Sequence, residues 1–244
     1  MSPNHPKGVF LIGTRRGVGT AHVAAALTHL LRARQLRTGV MLPVDTGVSD
    51  PTQISVRGAL LHQAAAGQLE TAMINPYRFR ADADPVVAAE LEQQKIDIHH
   101  LVDLAQQMIA DHDFSVFAGC GGLMVPLAGG WLQADLAAAL NLPLIIIADA
   151  RSATVNDVLL NLYAAKNLDL VVAGYLLNRM PQATPEPAGQ LPHSLAMLTG
   201  AELLGVIHEE SVTAGEKVAA ITDQLIHMPT RGLLENSLAL ERYS

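Results

Sequence analysis

One cysteine, Cys120, in 244 residues has nothing to pair with inside the chain. No internal disulfide staples the fold, and this usage fits a reducing cytoplasm. Positive charge is also scarce. Sixteen Lys and Arg stand against 23 Asp and Glu, a net −7, which argues against nonspecific binding to nucleic acid or to a membrane surface. No apolar run reaches the roughly 18–20 residues that span a bilayer. The first residues, MSPNHPKGVFLIG, hold too short an apolar run for a secretory signal and lead into arginines. No Pro/Gly/Ser linker divides the chain and no internal repeat is present, so a single domain over 1–244 is expected. Ten histidines include HH at 99–100, but none has metal-ligand spacing such as H-E-x-x-H. They are read as surface residues, and no metal site is expected from them.

What is present is hydrophobic residue, half of the chain, enough for a sizeable core. Short apolar runs without polar alternation predict strands at 8–12, 38–44, 114–119, 142–149, 170–178 and 202–207. Helical patterns fall near 20–35, 55–67, 85–91, 97–112, 132–140, 153–166 and 190–199. Such runs are buried on both faces, and their alternation with helices implies βαβ crossovers. The fold class is therefore α/β: a doubly wound, mostly parallel sheet flanked by helices, with ligands expected at the carboxyl ends of the strands. The Pro-rich stretch 180–194 reads as a surface loop or lid. The tail, 228–244, reads as a short terminal helix or a partly disordered end.

The stretch GVFLIGTRRGVGTAHVAAAL (8–27) runs from an apolar strand through a glycine-rich turn into an alanine-rich helix. That is the layout of a phosphate-binding loop. Glycines relieve backbone strain there, and the helix N-terminus attracts an anion. Gly13, Thr14, Arg15, Arg16, Gly17, Val18, Gly19, Thr20 and Ala21 form the candidate anion-binding segment. Gly13, Gly17 and Gly19 are expected to take the φ values that turn amides toward an anion. Yet Thr20 and Ala21 stand where such loops end in Lys and then Ser or Thr.

Further motifs follow in order: LPVDTG (42–47), NPYRFRADADPVVAAE (75–90), FAGCGGLMVPL (117–127), LLNRM (176–180) and ELLGVI (202–207). From about residue 8 to about residue 210 the chain thereby resembles dethiobiotin synthetase, a P-loop, ATP-dependent carboxylase family of biotin synthesis. The resemblance implies a P-loop NTPase-like fold, ATP and magnesium as cofactors, and a homodimer. It also implies which residues have changed. The loop lysine becomes Thr20 and the magnesium-binding hydroxyl becomes Ala21. The lysine of K-P-V becomes Leu42, an acidic metal ligand becomes Arg57, and the glutamate of V-E-G-A-G-G becomes Ala118. No catalytic residue is carried over at these places. Across six positions, Arg15 and Arg16 included, the formal charge rises from about −1 to about +3. Thr46, Gly47, Arg57, Gly119, Cys120, Gly121, Gly122, Asn156 and Asn178 are the remaining candidate ligand contacts. Asn178 stands where the family reads adenine, and Asn156 on the helix that meets the substrate's distal carboxylate.

Beside these stand plainer readings. Arg15 and Arg16 are solvated loop arginines, Arg57 pairs with a neighbour, Cys120 packs, and Asp45 forms a turn or adds a carboxylate to the cleft. Three functions remain open from sequence. One is a diverged, inactive homologue that binds an anionic small molecule or a partner protein in the old cleft. Another is a working ATP- and magnesium-dependent carboxylase with phosphate binding rebuilt on arginines. The third is a structural subunit.

Overall fold

The computed structural model describes residues 6–183, 188–213 and 215–243. In chain order the strands and helices are β1 (Gly8–Gly13), α1 (Thr20–Ala33), β2 (Thr38–Met41), β3 (Val44–Thr46), α2 (Val56–Ala64), α3 (Thr71–Ile74), β4 (Tyr77–Phe79), α4 (Pro85–Leu91), α5 (Ile98–Asp111) and β5 (Phe114–Ala118). They continue with β6 (Pro126–Ala128), β7 (Trp131–Leu132), α6 (Gln133–Leu140), β8 (Leu144–Asp149), α7 (Val155–Asn167), β9 (Val172–Met180), α8 (Leu191–Leu198), β10 (Leu203–His208), α9 (Lys217–His227) and α10 (Arg231–Ser237).

Six strands pair in the order β10-β9-β8-β1-β5-β2, every pair parallel. Strand side chains alternate between two apolar layers. Val9 and Leu11 of β1 pack with α1, α2, α9 and α10, while Phe10 and Ile12 pack with the α4–α6 side. A third cluster joins Ile146, Tyr175 and Leu177 to α7 and α8. Burial on both faces explains why these strands lack polar alternation. The order reverses around β1: the chain leaves it toward β2 and β5, then returns to β8 on its other side. The crevice above the carboxyl end of β1 is thus the topological switch point, where ligands bind in such sheets.

Several boundaries differ from the pattern-based expectation, each for a local reason. The run 38–44 is two strands, because the Leu42 amide leaves the sheet to bond the Ile74 carbonyl (2.7 Å) and Pro43 has no amide to offer. Val44–Thr46 then pairs with Tyr77–Phe79. Phe79 is fully buried, and the Tyr77 hydroxyl meets the Asp97 backbone. β9 runs on to Met180 and α8 starts at Leu191, so the expected lid shrinks to the stretch between them; residues 184–187 lie outside the described residues. Through residue 243 the tail folds onto the domain. Leu234 of α10 packs into the core, and the Tyr243 hydroxyl donates to the Asp113 carbonyl (2.6 Å). α9 is an amphipathic helix in a stretch where no element was expected. Among the described residues, no helix is long and apolar enough to cross a membrane.

Candidate functional site

β1 delivers the chain into the loop at the switch point. Gly17 and Gly19 hold φ of 81° and 94°, and α1 begins at Thr20 directly after Gly19. Gly13 is different from expectation. It does not adopt a left-handed φ; it is needed for space, since a Cβ there would lie 2.7 Å from the Arg15 carbonyl. A Cβ on Gly19 would lie 2.4 Å from the Asn178 amide nitrogen.

Above the loop lies a cavity of 280 Å³. Arg15, Arg16, Gly17, Gly19, Thr20 and Ala21 line it from the loop side. Leu42 lines it from the end of β2, Asp45 and Thr46 from β3, Arg57 from α2, and Gly119, Cys120 and Gly121 from the turn after β5. Val18 is buried beneath, its carbonyl accepting from Asn178 Nδ2 (2.8 Å). Thr14 and Gly122 open instead onto a neighbouring groove of 440 Å³, which Arg15 and Arg16 also border. Gly47 supports the rim with φ 73° beside Asp82. Asn178 borders a small 40 Å³ pocket between β9, β10 and α9. Asn156 is exposed on α7 and reaches none of these spaces. The α7 asparagine that does is Asn161, which borders the 440 Å³ groove and whose Oδ1 accepts from the Leu123 amide (3.3 Å).

The arginines come with partners. Arg57 Nη2 lies 2.5 Å from Asp45 Oδ1 and 2.6 Å from the Thr46 carbonyl. Arg16 Nη2 lies 2.5 Å from Asp82 Oδ1, and Arg15 donates to the Ser152 hydroxyl. The added positive charge is therefore partly offset by Asp45 and Asp82. Asp45 is 3% exposed and paired, so it is a cleft carboxylate and not simply a turn former.

Pattern reading missed three further groups. Arg179, with a left-handed φ of 59°, folds back so that Nη1 donates to the Gly17 carbonyl (2.7 Å) and to Asp149 Oδ2 (3.0 Å). Burial alone would raise the Asp149 carboxyl, but hydrogen bonds from Arg151 and Arg179 outweigh it and hold the group below the usual carboxylate range. His22, in the first turn of α1, borders both the 280 Å³ cavity and the Asn178 pocket. Burial, then the charges of Arg179, Lys217 and Arg57, push its imidazole down. The surface reading does not describe it, nor does it describe His29 of the same helix, whose imidazole burial also pushes down. The signal of His22 was position, three residues past Gly19. Burial pushes the Cys120 thiol up to about 12, which disfavours the thiolate.

The side chains present do not fit a magnesium ion. The Ala21 side chain offers no oxygen and Ala118 no carboxylate, while Asp45 has Oδ1 on Arg57 and Oδ2 buried. Among the described residues, no group of three or more His, Cys, Asp or Glu is placed to hold a metal. Backbone amides at a helix N-terminus ringed by guanidinium groups suit an anion instead.

A family model described as an AAA domain matches residues 7–217. The chain is 35% identical to an ATP-dependent dethiobiotin synthetase BioD of Anaeromyxobacter dehalogenans (strain 2CP-C), over 84% of this chain and 87% of that protein. It is 29% identical to the protein of the same name from Bacillus subtilis (strain 168), over 82% and 86%. Among solved structures, cobyrinic acid a,c-diamide synthase from Mycobacterium smegmatis superposes with a TM-score of 0.54 at 15% identity, covering 95% of each chain. The MinD cell division protein of Aquifex aeolicus gives 0.54 at 10% identity, covering 98% of each. At such identities these two bear on the fold alone.

Proposed function

The chain belongs to the ATP-dependent dethiobiotin synthetase family, and from that premise we propose that it is a diverged member that makes no dethiobiotin and binds a small anion in the inherited phosphate cleft. The observation that carries this reading is the lining of the 280 Å³ cavity. It keeps the glycine loop and the α1 N-terminus, carries Arg15, Arg16, Arg57 and Arg179, and has no lysine. Phosphoryl transfer depends on positioning and on neutralising charge at the moving group. Ala21, Leu42 and Ala118 supply neither the cation nor a ligand of one, and Thr20 brings no positive charge. A static anion needs less, because amides and guanidinium groups suffice to hold it.

Calorimetric titration with phosphate, ATP and a dicarboxylate, each with magnesium and with EDTA, tests this. Binding is expected to be indifferent to EDTA. The 35% identity to a protein named as a synthetase supports the second reading, a carboxylase that rebuilt phosphate binding on arginines. Binding that requires magnesium decides for that reading.

The single unpaired cysteine supports a cytoplasmic location for this activity. A homodimer accompanies the same reading. Leu160 and Tyr163 of α7 are 57% and 68% exposed, and Met124 beside them is 53% exposed. Large apolar side chains grouped on one helix face favour a partner surface. Light scattering at micromolar concentration is expected to give about twice the chain mass, whereas a value near 25.9 kDa contradicts the dimer.

A further inference from the structure

Two spaces meet at Arg179. It lines the 280 Å³ cavity above the glycine loop and also the 40 Å³ pocket between β9, β10 and α9. Its guanidinium is fixed there. Nη1 donates to the Gly17 carbonyl (2.7 Å) and to Asp149 Oδ2 (3.0 Å). Asp149 is 3% exposed, and Arg151 also grips both of its oxygens, at 3.0 and 2.7 Å. The Arg179 backbone holds φ of 59°, which a side chain of this size keeps only where its surroundings over-determine it. Next to it, Asn178 is buried and donates Nδ2 to the Val18 carbonyl (2.8 Å). Both side chains close on Gly19, where a Cβ would lie 2.4 Å from Asn178 Nδ2 and 3.4 Å from Arg179 Nη2. Residues 178 and 179 thus form a strap across the loop.

The pocket behind the strap is lined by polar groups that already have partners. Glu209 accepts from Arg151 Nη1 (2.8 Å). Gln224 donates to Glu210 Oε1 (2.7 Å) and accepts from the His208 amide (2.7 Å). Its 40 Å³ has room for a few water molecules and not for a purine ring. We propose that Arg179 restricts this cleft to compact phosphates, of the inorganic phosphate and pyrophosphate class, by closing the loop compartment against the nucleoside part of a nucleotide. The phosphates face the loop amides and guanidinium groups, as in the anion-binding reading on which this inference rests. A nucleoside attached to them must displace Arg179 from Asp149 or stay in solvent. Displacement takes one partner from a buried carboxylate, which is costly.

The test is calorimetric titration of the full chain with pyrophosphate and with ADP, both in EDTA at mildly alkaline pH. The two ligands share the phosphoanhydride and differ in the adenosine. ADP is expected to bind no more tightly than pyrophosphate. In Arg179→Ala the two spaces merge, so ADP is expected to gain about tenfold or more relative to pyrophosphate, which burying part of one base face supplies. The ratio within each protein is compared, because the substitution also removes a cation from the cavity. Circular dichroism checks that the variant is folded, and the ratio in the parent chain stands without it. ADP binding about tenfold or more tightly than pyrophosphate in the parent overturns the restriction while leaving anion binding intact. A folded variant that keeps the parent's ratio overturns the role of Arg179. Binding of neither ligand to the parent overturns the anion-binding reading itself.

Discussion

Given diaminopelargonate, ATP, magnesium and isotopic bicarbonate, the purified chain is expected to incorporate no label into dethiobiotin above the uncatalysed background. The expectation rests on what five positions no longer supply. The family's loop lysine and its magnesium each neutralise charge that develops on the transferring phosphoryl group. If each term is worth about 4 kcal/mol, their joint loss slows the reaction by about a millionfold. Arginine does not simply replace them here. Arg57 is committed to Asp45 and Thr46, and Arg16 to Asp82. Arg15 is held by Ser152 in the turn after β8. A guanidinium so held can bind a resting anion, but it brings no metal to bridge two phosphates. Label incorporation at a rate within about a hundredfold of an active relative run alongside overturns this reading and favours the rebuilt carboxylase.

The sheet was legible because its strands are buried on both faces, so each reads as an unbroken apolar run, as in LIIIAD of β8. Elements that depend on long-range pairing were not. β3 and β4 have three residues each and exist because Val44 meets Tyr77 across 33 positions. α9 has no unbroken apolar run and shows only as a helix-period amphipathic pattern. In the site, the glycine loop was legible because its backbone geometry is local. Ion pairs are not local: Arg16 finds Asp82 66 residues away, and Arg179 reaches back 162 residues to Gly17. The charge gained by Arg16 and Arg57 could be read from sequence, but the carboxylates that offset it could not. The same reason separates Asn156 from Asn161. Both lie on α7, and only the packing of that helix against the turn after β5 decides which amide faces Leu123.

Replacing Arg15 and Arg16 together with alanine is expected to weaken phosphate binding by two or more powers of ten. Each guanidinium lines the 280 Å³ cavity and is held by a partner outside the loop, so less rotamer freedom remains to be lost when an anion arrives. A charge-assisted hydrogen bond from each contributes about 1.5–3 kcal/mol, and two such bonds span about two to four powers of ten. The Arg16–Asp82 pair is not a strong competitor for its own arginine. Asp82 is 80% exposed, and a pair so solvated is worth about 1 kcal/mol or less. The double lysine variant separates charge from geometry: it keeps two cations but loses the fork, and is expected to fall between parent and alanine variant. Neither change touches the core, so the thermal midpoint is expected to stay close to the parent's. The opposite result has a distinct meaning. If the alanine variant binds phosphate as well as the parent, both arginines serve only Ser152 and Asp82. Any anion affinity then belongs to the loop amides, Arg57 and Arg179.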